Sequence, residues 1–109
     1  MMDINELTER SQEVAGYLKV LANPARLLIL CELNQGERSV TALEAAVGLA
    51  QSALSQHLAK LRESGIVATR RDAQTIYYRL EDPRAVRMMG TLYELFCAPQ
   101  ATGKRRAKD

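Results

Sequence analysis

Residues 41–65 have the pattern of two helical segments separated by a short turn with one glycine, and this arrangement constrains the fold more than any other feature of the sequence. Thr41 followed by Glu44 matches a capping box and predicts a short helix that ends near Val47, before a turn at Gly48. A second helix is predicted to begin near Gln51. Its apolar residues Leu54, Leu58 and Leu61 recur at helical spacing and form one stripe. The opposite face of this helix is polar. A short helix, a tight turn and a polar-faced helix are typical of a helix-turn-helix motif.

Two β-rich runs follow Gly65. They cover residues 66–71 and 75–80 and are separated by the polar residues Asp72, Ala73 and Gln74. Runs of this composition around a short polar break predict a β-hairpin. A hairpin directly after a helix-turn-helix is a wing, so the expected fold is mainly α with a small β-hairpin wing (α+β), a winged helix-turn-helix.

The flanking segments are predicted to be helical. An apolar seam at Ile4, Leu7, Val14, Leu18 and Leu21 predicts one long first helix. Cap and first-turn signals, each an Asx residue followed by proline, open two further helices. These are Asn23 and Pro24 before a helix over 25–33, and Asp82 and Pro83 before the terminal helix.

The terminal helix is apolar nearly all round, and one helix face is enough to cover its own core. The other face, with the seam of the first helix, most simply meets a second copy of the chain. We therefore expect a homodimer formed through the first and last helices. Binding of another protein by a monomer is the alternative.

Length and composition fit one small domain. The chain has 109 residues, of which 47% are hydrophobic, and this suffices for a single core over residues 1–97. Residues 98–109 lack apolar periodicity and are predicted to be a disordered basic tail. No secretory signal and no long apolar span is evident, which predicts a soluble cytoplasmic protein without a membrane partner. Two cysteines in a reducing compartment are expected to be free thiols.

Positive charge is concentrated in the predicted helix-turn-helix and wing. The net charge is only +2, but residues 51–80 carry five basic side chains against two acidic ones. A local basic surface of this kind suits phosphate groups, and therefore double-stranded DNA.

The second helix and the wing supply the candidate DNA contacts. A major groove accepts one α-helix, and polar side chains on it can reach base edges, here Gln51, Ser52, Ser55, Gln56 and His57. His57 could instead be a half-buried packing residue. Phosphate or minor-groove contacts are expected from Lys60, Arg62, Arg70, Arg71 and Gln74.

Three segments together resemble the ArsR family of dimeric bacterial repressors: LANPARLLIL, LAQSALSQHLAKLRESGIV and RRDAQTIYYRL. The resemblance covers about residues 10–97, and its most specific features are Ser55, His57 and Leu58 with the LRESG sequence at 61–65. It implies binding to operator DNA, in an inverted repeat. Ala50 departs from the family, which often has a serine cap there, so the start of the recognition helix is expected to fray.

Metal sensing through the zinc sites of that family is not expected. Ser39, Val40 and Thr41 stand where relatives carry a Cys-x-Cys pair, and the terminal helix has no histidine. Two cysteines and one histidine cannot supply the four ligands of a zinc site in one chain. We therefore predict neither a metal site nor a cofactor.

Cys31 and Cys97 remain as candidate sensing residues. By themselves, cysteines on apolar helices are most often inert core residues. The resemblance changes this interpretation, because the persulfide-responsive BigR/SqrR-type subgroup is similar in placing its two essential cysteines at these positions. It implies a repressor that releases operator DNA when Cys31 and Cys97 are bridged by a disulfide or polysulfide.

Two alternative functions stay open, and a third is discounted. The same thiols could bind a soft ion such as arsenite, Cu(I) or Hg(II). The chain could instead be a constitutive DNA-binding or partner-recruiting module whose cysteines only pack. An enzyme is discounted, because the sequence has no Cys-x-x-Cys, no glycine-rich phosphate loop and no acid–base pair around either cysteine.

Overall fold

The computed structural model describes residues 3–97. Its elements are, in chain order, α1 (Ile4–Glu9), α2 (Ser11–Leu21), α3 (Pro24–Asn34), β1 (Arg38–Ser39), α4 (Val40–Val47), α5 (Gln51–Glu63), β2 (Val67–Asp72), β3 (Thr75–Leu80) and α6 (Pro83–Phe96). The mainly helical fold with a β-hairpin wing is confirmed. The tail predicted over 98–109 lies outside the described residues.

The sheet has three antiparallel strands in the order β1-β3-β2. The hairpin strands pair from Val67 with Leu80 to Asp72 with Thr75, leaving only Ala73 and Gln74 in the turn. Ala73 takes a positive φ of 59°, which costs a non-glycine residue roughly 1 kcal/mol. β1 was not predicted, because a strand of two residues is too short to show alternation.

The core lies where α3, α4 and α5 meet the base of the hairpin and α6. The inner stripe predicted for α5 is confirmed, since Leu54, Leu58 and Leu61 are no more than 2% exposed. The other buried residues come from α2, α3, α4, the residue before β2, the start of β2 and α6: Leu21, Ile29, Leu30, Leu33, Leu43, Ile66, Val67, Ala85 and Met89.

The prediction of one long first helix is wrong. The helix breaks at Arg10, whose φ of −101° and ψ of 10° are not helical. The apolar seam is interrupted there, since Ser11 occupies a seam position, and α1 contains no buried residue that would hold a straight continuation. Arg10 instead pairs with Glu13 in the first turn of α2.

The caps predicted for α3 and α6 are confirmed, whereas the one predicted for α4 is wrong. Asn23 accepts a hydrogen bond from the backbone N–H of Arg26, and Asp82 accepts one from that of Arg84. In α4 the cap is Ser39, whose hydroxyl accepts from the Ala42 N–H at 3.1 Å. Pairing of Ser39 with Tyr77 in the sheet fixes where the backbone leaves the strand, so the helix begins at Val40, ahead of Thr41.

No single helix in the described part of the chain is long and apolar enough to cross a membrane. The consecutive helices α2 and α3 would suffice together by length and composition, but they meet at an angle of 86°.

Candidate nucleic-acid interface and thiol pair

The turn between α4 and α5 is fixed by Gly48. This residue ends α4 in the left-handed region, with φ 69° and ψ 30°, a conformation that glycine adopts without strain. Ala50 then precedes α5 and provides no side-chain cap. The backbone carbonyl of Ala50 nevertheless accepts the N–H of Leu54 at 2.9 Å, so the helix is regular from its first turn. The predicted fraying is therefore not seen in the geometry of this turn.

The outer face of α5 presents most of the polar side chains that were predicted to contact DNA. Ser52, Gln56 and Lys60 follow one another at four-residue spacing and are exposed, as are Gln51 and Ser55. Beside them lies a cleft of about 450 Å³ between α5 and the sheet, lined by Ser55, Ala59, Arg62, Glu63 and Tyr78. The structure thus brings these predicted contacts together on one open surface next to the wing.

His57 is placed differently from its neighbours on α5. It is half-buried, and its ring Nδ1 lies 3.3 Å from Nη1 of Arg26 on α3. On a helix of 3.6 residues per turn, position 57 flanks the buried stripe of Leu54, Leu58 and Leu61. His57 therefore has a partner within the protein, unlike the side chains of the outer face.

The two wing arginines that were predicted to contact DNA, Arg70 and Arg71, also differ. Arg70 donates to both carboxylate oxygens of Glu37, with three contacts of 2.8–3.1 Å, and its guanidinium lies 4.4 Å from the Tyr77 ring centroid. The hydrogen bonds with Arg70 lower the pKa of Glu37 and raise that of Arg70. Arg70 therefore braces the wing against the segment before β1.

Arg71 lies on the opposite face of the hairpin from Arg70, because neighbouring strand residues alternate. Along β2 that face continues through Thr69, which pairs with Tyr78, a residue that lines the cleft beside α5. Arg71 and the turn residue Gln74 are exposed. Arg71 therefore lies on the side of the wing that adjoins α5, whereas Gln74 is exposed in the turn at the tip.

Arg26, Glu37 and Tyr78 were not found by the sequence reasoning. Each contacts a residue predicted to bind DNA, or lines the cleft with it, from a distant part of the chain. Their contacts span 31 and 33 residues for the first two, and no local pattern marks such pairs.

The two predicted sensing cysteines are both exposed thiols. Cys31 lies on α3, and Cys97 ends α6, where its N–H donates to the carbonyl of Tyr93 at 2.8 Å. Partial burial raises the pKa of the Cys31 thiol, and the nearby Cys97 and Glu32 raise it further. Because Cys97 acts on the charge of Cys31, the two thiols lie within electrostatic range of one another.

A second set of exposed side chains is apolar and lies on the helices at the two ends of the chain. Leu18 of α2 is 46% exposed, Tyr93 of α6 is 58% exposed and Phe96 is 79% exposed. The other members are Ile4 and Leu7 of α1, Val14 of α2, and Val86 and Leu95 of α6. From here on, the apolar seam means these eight exposed side chains; it omits Leu21, which is buried.

A polar cluster joins α2 to α6 beside the apolar seam. Arg84 pairs with Asp82 at 2.9 Å, approaches Glu13 at 3.9 Å and lies 4.6 Å from the Tyr17 ring centroid. Burial, then the charge of Asp82, raises the pKa of Tyr17. A cleft of about 600 Å³ opens next to these residues between the N-terminal helices and α6.

No group of three or more His, Cys, Asp or Glu side chains within residues 3–97 is arranged to hold a metal ion.

A recognition helix that carries polar side chains outward, a preceding short helix and a three-stranded wing define a winged helix-turn-helix protein. Residues 23–69 match the profile of bacterial regulatory proteins of the arsR family. A biofilm growth-associated repressor of Agrobacterium fabrum is 50% identical over 104 residues, which cover 91% of this chain and 89% of the relative.

Solved structures agree. The transcriptional repressor BigR of Xylella fastidiosa is 46% identical, with a TM-score of 0.84 over 89% of this chain and 99% of that one. A homodimeric winged helix-turn-helix DNA-binding domain of Mycobacterium bovis is 33% identical, with a TM-score of 0.72 over 87% of this chain and 86% of that one. The chain therefore belongs to the ArsR family of bacterial regulatory proteins. It is a DNA-binding transcription regulator rather than an enzyme, as predicted.

Proposed function

We propose that this protein is a cytoplasmic homodimeric repressor that releases its operator when Cys31 and Cys97 become bridged by a disulfide or polysulfide. The observation that carries the proposal is the pair of exposed thiols, one on α3 and one at the end of α6, near enough for Cys97 to influence the ionisation of Cys31. Because the two thiols lie on different helices, a bridge between them would change the position of α6 relative to α3. The names of the relatives described above support the repressor role.

Operator binding is assigned to the outer face of α5 and to the wing. In this proposal Gln51, Ser52, Ser55 and Gln56 contact base edges in the major groove. Lys60, Arg62, Arg71 and Gln74 contact phosphate groups, whereas Arg70 acts from behind the wing through its pair with Glu37. A dimer would present two such surfaces, which suits an inverted repeat.

The apolar seam supports the dimer. Large apolar side chains on three helices are 38–79% exposed in the single chain, and burying them against a second copy would remove this surface from water. The Mycobacterium bovis structure is described as homodimeric, which agrees with this interpretation.

The proposed chemistry is a two-electron oxidation of the thiol pair. One cysteine thiolate attacks the outer sulfur of a persulfide donor and takes up that sulfur, which gives a cysteine persulfide. The sulfur–sulfur bond of the donor breaks, and the rest of the donor leaves as a thiol. The second thiolate attacks the sulfur bonded to the protein and expels hydrosulfide, which gives a disulfide. If both cysteines are persulfidated before closure, the terminal sulfur of one persulfide attacks the protein-bonded sulfur of the other and expels hydrosulfide, which gives a trisulfide.

A bridge would link α3, which packs on α5, to the terminal helix, which carries part of the apolar seam. It would therefore couple the recognition helices to the dimer axis, whose geometry sets their separation. A loss of affinity of about a hundredfold requires about 2.7 kcal/mol of coupling, within the usual range for two linked sites.

The test uses a duplex selected by the reduced wild-type protein from a random-sequence DNA pool. Its affinity is measured before and after treatment with a low-molecular-weight persulfide donor, and intact mass is recorded on the same samples. We expect affinity to fall about a hundredfold as a bridge between Cys31 and Cys97 forms. The matched controls are Cys31→Ser and Cys97→Ser, which should bind the duplex when reduced and keep it after treatment.

Release of DNA by either serine variant under the persulfide donor would overturn the bridging mechanism. Unchanged affinity of the wild type, with an arsenite titration that does release DNA, would instead favour soft-ion sensing by the same thiols.

A further inference from the structure

Arg26 occupies the corner where α2 turns into α3. Its backbone N–H is held by the Asn23 cap at 3.1 Å, and its side-chain Nε donates to the carbonyl of Val20. Val20 lies in the last turn of α2, where carbonyl groups have no partner within the helix. The half-buried Arg26 side chain therefore completes the end of one helix while it belongs to the beginning of the next.

The other arm of the same guanidinium reaches the recognition helix. Nη1 of Arg26 lies 3.3 Å from Nδ1 of His57. Because a guanidinium only donates hydrogen bonds, Nδ1 is the acceptor in this contact. One planar group thus joins α2, α3 and α5, which an ammonium group on a flexible chain would not do in the same way.

We propose that Arg26 and His57 are positioning residues, which fix α5 against the corner of α2 and α3 so that its outer face meets DNA in the correct orientation. His57 then acts through Nδ1 and Arg26, and not as a reader of base edges. The inference rests on the DNA-binding part of the proposed function and is independent of thiol chemistry.

The position of the pair gives it a second consequence. α2 carries part of the apolar seam, and α3 carries Cys31, five residues beyond Arg26. A rotation of either helix would reach α5 through this guanidinium as well as through the apolar core.

The test exploits two amides that each imitate one ring nitrogen. The Asn side-chain oxygen is bonded to Cγ, as Nδ1 is in His, so His57→Asn keeps an acceptor for Arg26. The Gln side-chain end group lies one bond further, near the position of Nε2, and loses that acceptor. We expect His57→Asn to retain affinity for the selected duplex within about threefold, and His57→Gln to lose about tenfold.

A double-mutant cycle separates a shared role from independent ones. If His57 acts through Arg26, the variant with both Arg26→Gln and His57→Gln loses no more affinity than the weaker-binding single variant. Affinity for a scrambled duplex of equal composition should fall less than affinity for the selected duplex, because the phosphate contact proposed for Arg71 of the wing does not depend on the orientation of α5. Thermal unfolding confirms that each variant is folded.

Greater retention by His57→Gln than by His57→Asn would overturn the proposal, since it would assign the role to Nε2. Equal affinities of the two variants, or additive losses in the cycle, would overturn it as well. These results are distinct from failure of the proposed function, in which the wild-type protein itself would not discriminate the selected duplex from the scrambled one.

Discussion

The helix-turn-helix with its wing and the helices at the two ends of the chain treat their apolar side chains in opposite ways. In α5 the inner stripe is almost completely buried, and polar side chains face outward. In α1, α2 and α6 many large apolar side chains stay exposed, with Phe96 at 79%. The helix-turn-helix with its wing, which we call the reading half, buries its apolar side chains within one chain. The end helices leave theirs exposed, as one layer of a core does when no second layer covers it.

This difference implies a division of work. A surface that must meet DNA reproducibly is best built on elements whose packing is already satisfied. A surface that must respond to a chemical signal is better placed where contacts are fewer, because such regions change conformation at lower cost. Cys97 ends one of these end helices, α6, whereas Cys31 is an exposed residue of α3, which packs against α2, α5 and α6.

The largest expected effect comes from placing a charge in the apolar seam. Leu18→Glu should convert the dimer to a monomer and lower affinity for the selected duplex by about a hundredfold, because two linked half-site contacts become one. Sedimentation velocity and DNA titration measure the two effects. The matched control is Gln12→Glu, about 120° away around α2. A dimeric Leu18→Glu protein would show that the end helices are not the missing interface.

The rate at which Cys31 is alkylated should depend on pH. Burial, Cys97 and Glu32 raise the pKa of Cys31, so its thiolate is the minor form at pH 7 to 8. Alkylation of Cys31 by iodoacetamide should therefore accelerate about tenfold per pH unit in this window, measured by peptide mass spectrometry. Cys97→Ser removes one of the three influences, and Cys31 should then ionise at lower pH. A rate independent of pH would contradict the raised pKa of Cys31.

Within the reading half, Arg70 and Arg71 of the wing should differ in their effect on the salt dependence of DNA binding. Arg71→Ala should weaken binding to specific and scrambled duplexes by a similar factor, and should reduce the salt slope by about 1, as loss of one phosphate contact does. Arg70→Ala should leave the slope unchanged, because Glu37 already holds that guanidinium. Equal effects on the slope would mean that DNA displaces Glu37 from Arg70.

The smallest effect is expected at the junction of the two regions, where Asp82 caps α6. Asp82→Ala should lower the free energy of unfolding by about 1 kcal/mol at pH 7, whereas Asp82→Asn, which keeps the cap, should lose less. Urea titrations measure both. An equal loss in both variants would assign the stabilisation to the charge of Asp82 and not to its cap.

The same residue predicts an acid dependence. The hydrogen bond from Arg84 is the largest influence that lowers the pKa of Asp82 below its ordinary value of 3.8. The folded state therefore gains stability above that value and loses it as the pH falls through the depressed pKa. This part of the acid sensitivity should be absent from Asp82→Asn, and its persistence there would assign it to other carboxylates.

Sequence periodicity determined what depends on neighbours along the chain. The stripe of Leu54, Leu58 and Leu61, the turn at Gly48, the hairpin and the caps at Asn23 and Asp82 all follow from local chemistry, and each is found in the structure. The family resemblance added the expectation that Cys31 and Cys97 act as a pair, which spacing alone did not imply and which stays a prediction.

Tertiary structure decided what depends on residues that meet across the fold. It broke the first helix at Arg10 and began α4 at Val40, after a cap residue that pairs with Tyr77 in the sheet. It also gave His57 and Arg70 the partners Arg26 and Glu37. Such contacts join positions more than thirty residues apart. Periodicity records which face of an element is apolar, but the polar side chain that meets a given residue across the fold is fixed only when the elements pack.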